Sequence, residues 1–590
     1  MVAGNGPAPP SMKATLQHLL SLLAVLFSAF SLPAGTVLSG INTEPGSGVE
    51  VEVSTVFDSA PQQGSVPMRV RIVNATGSDG VWRFHFSGRL GPGLVNSAVF
   101  RVKAGETRVF PVAPIMEERS PIPPVVRISG PQVIGGQATL PDLQEGRPFV
   151  ALSRTLGGSS VERFKTGGKP RTTSRSFGVA GFEPAELPED WRGLAGVEWL
   201  LMTEAEWAAL NPEVRTALRR WVAFGGELVL ASPDPATCQW SPTFPPPGPQ
   251  LSGKGPNPYG SGRFRAVPWN GSEVSIEALK TLVASRQWAS PEPDVSEWPL
   301  FTRLDTLKSH NLFVALFVVV FATLVGPVNL FWLAPAGRRH RLFVTTPLLS
   351  LGGTFILLLA MYVTDGTGGT GGRFTAIELL PGGHEALVTQ DQVARTGLLL
   401  SSRFTLKEEA LLLPFKIPDA PPLEKQVAGG TYSGGWFLSR SLQAQQLAAI
   451  RPGRRVVTQT GASPSGAPVI VSDLGNAIET LLFRDAGGSL WKGSAIRRGE
   501  PVALEPVPEN QNRESAQWWK AAIADAFPGR RLSRFKTKPL PDPGQFYATL
   551  VTAAGLPVET LDSIDWEDRA VAFGPVEGIL SAPLNEGGAP

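Results

Sequence analysis

Two long apolar runs without a charged residue occupy the middle of the chain, at 312–333 and 342–363. A helix rises ~1.5 Å per residue, so about 20 apolar residues cross a ~30 Å hydrocarbon core, and both runs are long enough. The runs therefore predict a hairpin of two transmembrane helices. The alternative is a hairpin buried in the core of a large soluble protein, but core helices seldom run this far without a charge.

The loop between the two runs, 334–341, is short and basic. It contains Arg338, Arg339 and Arg341 and no acidic residue. An excess of arginine in a short loop marks the cytoplasmic side of a membrane. These three arginines are the predicted topology-determining residues, and they place both flanks of the chain outside the cytoplasm.

Asn329 is the only amide side chain in either run, and Pro327 and Pro347 are the only prolines. Membrane helices tolerate proline because neighbouring helices and local changes of helix type satisfy the freed backbone groups. A single amide predicts a hydrogen bond between the two helices rather than a transport site.

The amino terminus has the pattern of a secretory signal peptide, which we predict at 1–34. Lys13 precedes an apolar run at 19–30, and a polar, glycine-rich segment follows. The run is too short to span a membrane comfortably. An uncleaved anchor is the alternative, and it gives the same orientation.

The segment 35–145 alternates apolar and polar residues with a period of two. The alternation is clear in VEVEV at 49–53, MRVRI at 68–72 and WRFHF at 82–86. Such alternation indicates strands with one buried face, and frequent Gly and Pro favour an antiparallel β-sandwich of immunoglobulin-like type. His85 lies on the polar side of its strand, so we expect it to be exposed.

The segment 146–300 changes to the pattern of an α/β domain. The apolar run VEWLLM at 197–202 suits a strand buried on both faces, and ELVLA at 227–231 suits another. Between them Pro212 opens an amphipathic helix, and Gly225 can end it in a left-handed conformation. Strand, helix and strand in this order predict a parallel sheet.

Behind the second apolar run, GTGGTG at 366–371 predicts a flexible linker over 364–371. The segment 372–590 is again predicted to be mainly β, with short apolar runs at 468–471 and 480–483 between turn signals. One helix is predicted at 514–527, where Trp518 and Trp519 recur with other apolar residues at helical spacing. A core-packing role is the simpler reading of this tryptophan pair, and a partner surface or a carbohydrate-stacking face is the alternative.

Two strings carry a resemblance to a known family. LPEDWRGLAGVEWLL at 187–201 and RRWVAFGGELV at 219–229 resemble the class I glutamine amidotransferase-like domain of uncharacterised bacterial envelope proteins. Those proteins are also similar to this chain in GPVN at 326–329, a basic loop and a proline in the second span. The resemblance implies the same architecture, with a β-rich outer domain after the spans.

An amidotransferase needs a cysteine thiolate on a sharp turn, activated by a histidine that a carboxylate orients. Cys238 is the only cysteine, and it lies in a loop beyond the second predicted strand without flanking glycines. The segment 146–300 contains no histidine. We therefore predict no catalytic residue, and a lone thiol at Cys238.

Composition narrows the remaining chemistry. The 590 residues are 42% hydrophobic with a formal net charge of +2, so nucleic acid is not a predicted partner. One cysteine permits no intramolecular disulfide, and the five histidines are too scattered for a metal site. GTGGTG lacks the strand-to-helix setting of a dinucleotide site, and GPQLSGKG at 248–255 lacks the hydroxyl residue of a phosphate loop. No cofactor is predicted.

The sequence thus predicts a multidomain membrane protein with a β-sandwich, an amidotransferase-like α/β domain, a transmembrane hairpin and a mainly-β carboxyl-terminal domain. We expect it in the bacterial inner membrane with both large flanks extracytoplasmic. Its predicted partners are the lipid bilayer and other envelope proteins, which it binds or scaffolds without catalysis. The alternative is an extracytoplasmic hydrolase or amidotransferase with an unconventional site. A sensor is a weaker third reading, because the inner loop offers little surface.

Overall fold

The structure is a computed structural model, and it describes a large part of the chain. The described residues are 35–61, 64–87, 93–116, 124–140, 148–158, 161, 177–238, 240, 243–244, 256–284, 298–305, 311–382, 385–415, 424–453, 456–459, 466–524, 526 and 538–578. The predicted signal peptide at 1–34 and the phosphate-loop-like segment at 248–255 lie outside them. The described part is mainly β with a few helices, two of them long and apolar, as predicted.

The amino-terminal region consists of strands in two facing sheets and in a separate pair, β3 with β8. They are β1 (Ile41–Thr43), β2 (Val49–Thr55), β3 (Gly64–Ser65), β4 (Met68–Asn74), β5 (Gly80–Ser87), β6 (Leu94–Val102), β7 (Glu106–Val112), β8 (Ile115–Met116), β9 (Val125–Ser129) and β10 (Val133–Thr139). One sheet has the order β2-β4-β7, and the other begins β1-β10-β9-β5-β6. Residues of both sheets share one apolar core.

The alternation of β5 shows why these segments fold as strands. Trp82, Phe84 and Phe86 are buried, whereas the intervening Arg83 and His85 are exposed. Successive side chains of a strand point to opposite faces, so this spacing buries all three aromatic residues on one side. The three predicted alternating strands and the exposed position of His85 are confirmed.

The α/β region has a six-stranded sheet. Its elements are β11 (Phe149–Ser153), β12 (Gly178–Phe182), β13 (Trp199–Thr203), α1 (Glu204–Ala209), α2 (Pro212–Phe224), β14 (Glu227–Ser232), β15 (Asn257–Tyr259), β16 (Gly262–Pro268) and α3 (Ile276–Ala284). The strand order is β12-β11-β13-β14-β16-β15, and every pair is parallel except β15 with β16.

The predicted strand–helix–strand unit is confirmed as β13, α2 and β14. Pro212 occupies the first turn of α2, and Gly225 follows its end at φ +125°, a conformation that glycine adopts without steric cost. The Trp221 indole on α2 donates a hydrogen bond to the Val197 carbonyl at 2.9 Å. This bond and the apolar face of α2 fix the helix against the sheet.

The two apolar runs form helices where the sequence predicts them. After α4 (Pro299–Asp305), helix α5 (Asn311–Thr323) continues as a π-helix over Leu324–Leu333, and α6 (Leu342–Asp365) returns. Both are long and apolar enough to cross a membrane. Almost none of either span is buried, so they do not form the core hairpin considered as an alternative. Pro327 lies inside the π-helix, where its missing N–H favours a departure from α geometry.

The carboxyl-terminal region contains sixteen strands and one α-helix among its described residues. They are β17 (Gly369–Leu379), β18 (Glu385–Thr396), β19 (Phe404–Thr405), β20 (Ala410–Pro414), β21 (Lys425–Ala428), β22 (Thr431–Gly434), β23 (Leu442–Pro452), β24 (Val456–Gln459), β25 (Val469–Ser472), β26 (Ile478–Arg484), β27 (Leu490–Ile496), β28 (Val502–Ala503), β29 (Glu505–Pro506), α7 (Asn512–Ala522), β30 (Gln545–Leu550), β31 (Ile564–Pro575) and β32 (Glu577–Gly578). Nine of the strands form a sheet in the order β20-β23-β18-β17-β31-β30-β26-β27-β29.

Helix α7 confirms the helix predicted near 514–527, although it begins and ends earlier. Trp519 is fully buried and stacks on Tyr547 with ring centroids 4.5 Å apart, and Trp518 packs beside the same cluster. Within the described residues the pair therefore has the core-packing role.

One sheet crosses the predicted bounds 35–145 and 372–590, because it takes strands from both ranges. Strand β21 pairs in parallel with β6, matching Lys425 to Leu94, and β22 and β19 extend the same sheet. Alternation along a strand shows which face is buried but carries no information about a partner more than 300 residues away. The carboxyl-terminal region thus completes the amino-terminal sheet.

The flexible linker predicted at 364–371 is also wrong in part. Helix α6 runs to Asp365, and β17 begins at Gly369 with β18 and β31 as neighbours. Added Cβ atoms would lie 2.5 Å from the Trp566 ring at Gly371 and 2.7 Å from Leu300 at Gly372. These glycines therefore serve close packing in a strand rather than flexibility.

Candidate functional site

The carboxyl edge of the parallel sheet is the expected position of a ligand site. Open α/β sheets bind ligands in the crevice outside the carboxyl ends of their strands. Here Ser153, Thr203 and Ser232 end β11, β13 and β14, and all three are buried. Three hydroxyl side chains therefore lie along this edge.

Thr203 is committed to starting helix α1. Its hydroxyl accepts the Glu206 N–H at 3.1 Å, and the Glu206 carboxylate accepts the Thr203 N–H at 2.7 Å. This reciprocal capping box satisfies backbone donors at the helix start. Both side chains therefore have a structural role that accounts for their contacts.

Ser232 and Cys238 both contact Glu204. The Ser232 hydroxyl donates to the Glu204 carboxylate at 2.6 Å. Burial, and then the charge of Glu204 and a hydrogen bond to it, raise the pKa of the Cys238 thiol to about 12. A nucleophilic cysteine needs a lowered pKa, so at neutral pH this thiol is a protonated hydrogen-bond donor. Cys238 lies in the loop after β14, as predicted.

Glu183 and Ser153 were not singled out by the sequence. Burial, and next the neighbouring charge of Glu206, raise the pKa of Glu183 above its ordinary value, while Arg154 opposes the shift. The Ser153 hydroxyl is buried and makes no hydrogen bond within the described part of the chain. A small polar residue at the end of the apolar strand FVALS is the only sequence signal for Ser153. Among the described residues, no group of three His, Cys, Asp or Glu side chains could hold a metal ion.

A second polar cluster joins the α/β region to the carboxyl-terminal sheet. The Glu385 carboxylate on β18 pairs with Arg219 at 2.8 Å and Arg220 at 2.6 Å, both on α2. The Ser261 hydroxyl donates to Glu378 on β17 at 3.0 Å. Burial raises the pKa of the adjacent Tyr259. A shallow cavity of about 350 Å³ opens beside Arg220, lined by Glu189, Pro212, Glu213 and Thr216.

A third cluster lies where the hairpin meets the carboxyl-terminal sheet. Arg373 on β17 pairs with Asp568 at 2.6 Å and Glu559 at 2.9 Å, and its guanidinium lies 5.1 Å from the centre of the Trp566 ring. A groove of about 280 Å³ runs between α4 and β31, with Arg303 on one side. Arg303 on α4 also pairs with Glu567 on β31 at 3.4 Å, which joins the sheet to the helix that leads into the first span.

Asn329 makes the interhelical contact predicted for it. Its side-chain N–H donates to the Thr346 hydroxyl on α6 at 2.9 Å, and the residue is fully buried. The predicted topology residues Arg338, Arg339 and Arg341 are exposed in the turn between the helices. The three arginines therefore lie together at one end of the hairpin. Cys238 is far from them in the sequence.

Comparisons with known proteins give little further information. No protein-family model matches the chain, and no curated protein matches it. One solved structure with some similarity is the yeast delta-COP-I mu-homology domain complexed with a Dsl1 WxWxV peptide. The identity is 7%, the match covers 36% of this chain and 96% of that chain, and the TM-score is 0.15. A similarity of this size supports no statement about fold or function.

Proposed function

We propose that the chain is a non-catalytic scaffold of the bacterial cell envelope, anchored in the inner membrane by its helical hairpin. Its two large flanks lie outside the cytoplasm and bind or organise other envelope proteins. The immunoglobulin-like and amidotransferase-like assignments, and the resemblance to bacterial envelope proteins, belong to this proposal.

The observation that carries the proposal is the interlocking of regions far apart in the sequence. Strand β21 extends the sheet of β6, and Glu385 joins α2 to β18 through two arginines. Removing the largely buried Glu385 is costly, because two half-buried arginines are left without their carboxylate. Parts joined in this way keep a fixed arrangement, which suits a protein that presents surfaces to partners.

The orientation rests on the hairpin turn. Arg338, Arg339 and Arg341 are exposed there, and arginine-rich short loops stay on the cytoplasmic side. Helix α4 and strand β17 adjoin the other end of the hairpin. Both flanks therefore emerge on the opposite face of the bilayer.

Orientation is tested by labelling single cysteines in spheroplasts with a membrane-impermeant maleimide. In a Cys238→Ser background, cysteine replaces either Ala336 in the hairpin turn or Ala486 in the β26–β27 turn, both exposed. We expect label at position 486 in intact spheroplasts and at position 336 only after permeabilisation. The reverse pattern would contradict the orientation.

The absence of catalysis is tested with the purified full chain. Hydrolysis of glutamine and of peptide amides is measured for the natural chain, Cys238→Ser and Glu183→Gln. We expect no turnover above the buffer control in any of them. Turnover that either substitution abolishes would overturn the scaffold proposal in favour of the hydrolase alternative.

A further inference from the structure

The outer face of the eight-stranded sheet carries a row of exposed arginines. Arg127 on β9, Arg83 on β5 and Arg101 on β6 are all exposed. Strands β5, β6, β9 and β10 contain no Asp or Glu residue. Among the described residues, Arg83 and Arg101 make no ion pair, and Arg127 contacts only the Gln137 amide at 3.3 Å.

Strand register places the three arginines on one diagonal. Arg83 pairs with Ser129 of β9 and Val99 of β6, so Arg127 and Arg101 each lie one strand across and two residues along, in opposite directions. Diagonal neighbours in an antiparallel sheet are about 7–8 Å apart. The three arginine side chains thus leave the sheet at regularly spaced positions along one diagonal.

The opposite sheet of the same sandwich shows that this is not a general property of the fold. On its outer face Arg71 of β4 pairs across the strands with Glu52 of β2 and lies 3.5 Å from the Glu50 carboxylate. Arg69 lies 3.8 Å from Glu186. One face therefore neutralises its arginines, and the other leaves them available.

Exposed apolar side chains lie beside the arginines of this face. Val81 is 40% exposed beside Arg101, and Val99 is 59% exposed beside Arg83. Protein interfaces are enriched in arginine and depleted in lysine, and the arginine fork binds carboxylates in bidentate geometry. The three strands β5, β6 and β9 contain no lysine. A partner that offers only phosphates would leave the two valines in contact with water, whereas a protein surface can cover them.

We propose that this arginine face, defined by Arg83, Arg101 and Arg127 with Val81 and Val99, docks an acidic and partly apolar surface of another envelope protein. The inference rests on the proposed scaffold function and names the chemistry of its partner. Carboxylates of the partner bind the diagonal of arginines, and apolar side chains between them cover the valines.

The test measures binding of the purified full chain in detergent to labelled probes. The probes are two extended acidic peptides of about twelve residues, in which glutamate alternates with valine or with serine, together with polyphosphate and vesicles containing phosphatidylglycerol. The variants are Arg83→Gln and Arg83→Gln with Arg101→Gln. The matched control is Arg71→Gln, which removes an exposed arginine from the middle of a strand on the charge-paired face.

We expect the glutamate–valine peptide to bind more tightly than the serine peptide and to weaken as salt rises. Arg83→Gln weakens binding about fivefold and the double substitution more, since an exposed pair contributes up to about 1 kcal/mol. Arg71→Gln leaves binding unchanged. Equal binding by all variants overturns the proposal, and so does tighter binding of polyphosphate or vesicles than of the peptides.

Co-purification from cross-linked membranes separates this proposal from the scaffold function. Partners that stay with the double variant as with the natural chain would refute the arginine face while leaving a scaffold. Partners lost in the double variant but kept in Arg71→Gln support both. A natural chain that purifies alone would refute the scaffold, whatever the peptides do.

Discussion

Arginines in two regions of this molecule have opposite surroundings. Arg219 and Arg220 lie between the α/β region and the carboxyl-terminal sheet, and both contact one carboxylate, Glu385. Arg83 and Arg101 lie on an open sheet face with no ion pair in the described part of the chain. The ion pairs of Arg219 and Arg220 thus join two regions of the molecule, whereas Arg83 and Arg101 join nothing among the described residues, and we propose that they bind a partner.

The two groups should respond differently to substitution. A carboxylate removed from a largely buried pair leaves arginine charge uncompensated in a poorly solvated place. An arginine removed from an exposed face loses little, because water already solvates it. Stability and binding should therefore separate cleanly between the two regions.

The largest expected effect is on the reactivity of Cys238, at the carboxyl edge of the parallel sheet. It tests whether charge and burial there act on a side chain as they do around Glu385. Because its pKa is raised from 9.0 to about 12, the Cys238 thiol should react with iodoacetamide at pH 8 more than about tenfold more slowly than a free thiol; its thiolate fraction is far smaller, although the more basic thiolate is the better nucleophile. The rate should rise with pH up to about 12. Glu204→Gln should accelerate it, although burial, the larger cause of the shift, persists. A rate that levels off near pH 8 would contradict this environment.

The next effect concerns the half-buried arginines Arg219 and Arg220 directly. We expect Glu385→Gln to lower the free energy of unfolding by about 2–3 kcal/mol, less than a fully buried pair because Arg220 is partly exposed. Urea unfolding in detergent, followed by tryptophan fluorescence, measures the change. Glu567→Gln is the control, since its pairs with Arg303 and Arg569 are exposed and should contribute below about 0.5 kcal/mol. Equal losses for the two variants would remove the distinction between buried and open charge.

A third effect extends the comparison to the packing at the base of the hairpin. Gly371→Ala places a methyl group against the Trp566 ring, and such overpacking costs about 1–3 kcal/mol. Gly475→Ala is the matched control, because no atom lies within 4 Å of its added Cβ. The same unfolding measurement applies. If both variants keep natural stability, residues 369–371 are not packed as a strand in solution.

The smallest expected effect is on the open face. Arg83→Gln with Arg101→Gln should change the free energy of unfolding by less than about 0.5 kcal/mol, because both side chains are exposed and form no ion pair with a described residue. The thermal midpoint in detergent checks this. A large loss of stability would show that these arginines serve the fold rather than a partner.

Patterns along the chain predicted the helices and strands better than they predicted which strands pair with each other. The apolar runs predicted the hairpin helices, and the alternation of WRFHF predicted β5. Both predictions succeeded because the pattern of apolar and polar neighbours in the sequence depends on which face is buried. The parallel pairing of Lys425 with Leu94 leaves no such local trace. The prediction of a flexible linker at Gly371 failed for a related reason. A glycine that makes room for the Trp566 ring cannot be told from a linker glycine by the sequence alone.

The candidate regions were less predictable than the fold. Cys238 could be placed in a loop without a catalytic partner, but its contact with Glu204 depends on how α1 and β14 pack. The arginine diagonal required the register of three strands, which hairpin and crossover geometry decide. Charged residues alternating with apolar ones predicted only an exposed face.

The most direct test of the scaffold account places a photo-cross-linking amino acid at one of two exposed valines in the native membrane. Val99 lies among the unpaired arginines and is 59% exposed, and Val109 lies on the charge-paired sheet and is 54% exposed. The account predicts a discrete protein adduct from position 99 that disappears with Arg83→Gln and Arg101→Gln, and none from position 109. No adduct at position 99, or the same adducts at both positions, would contradict it.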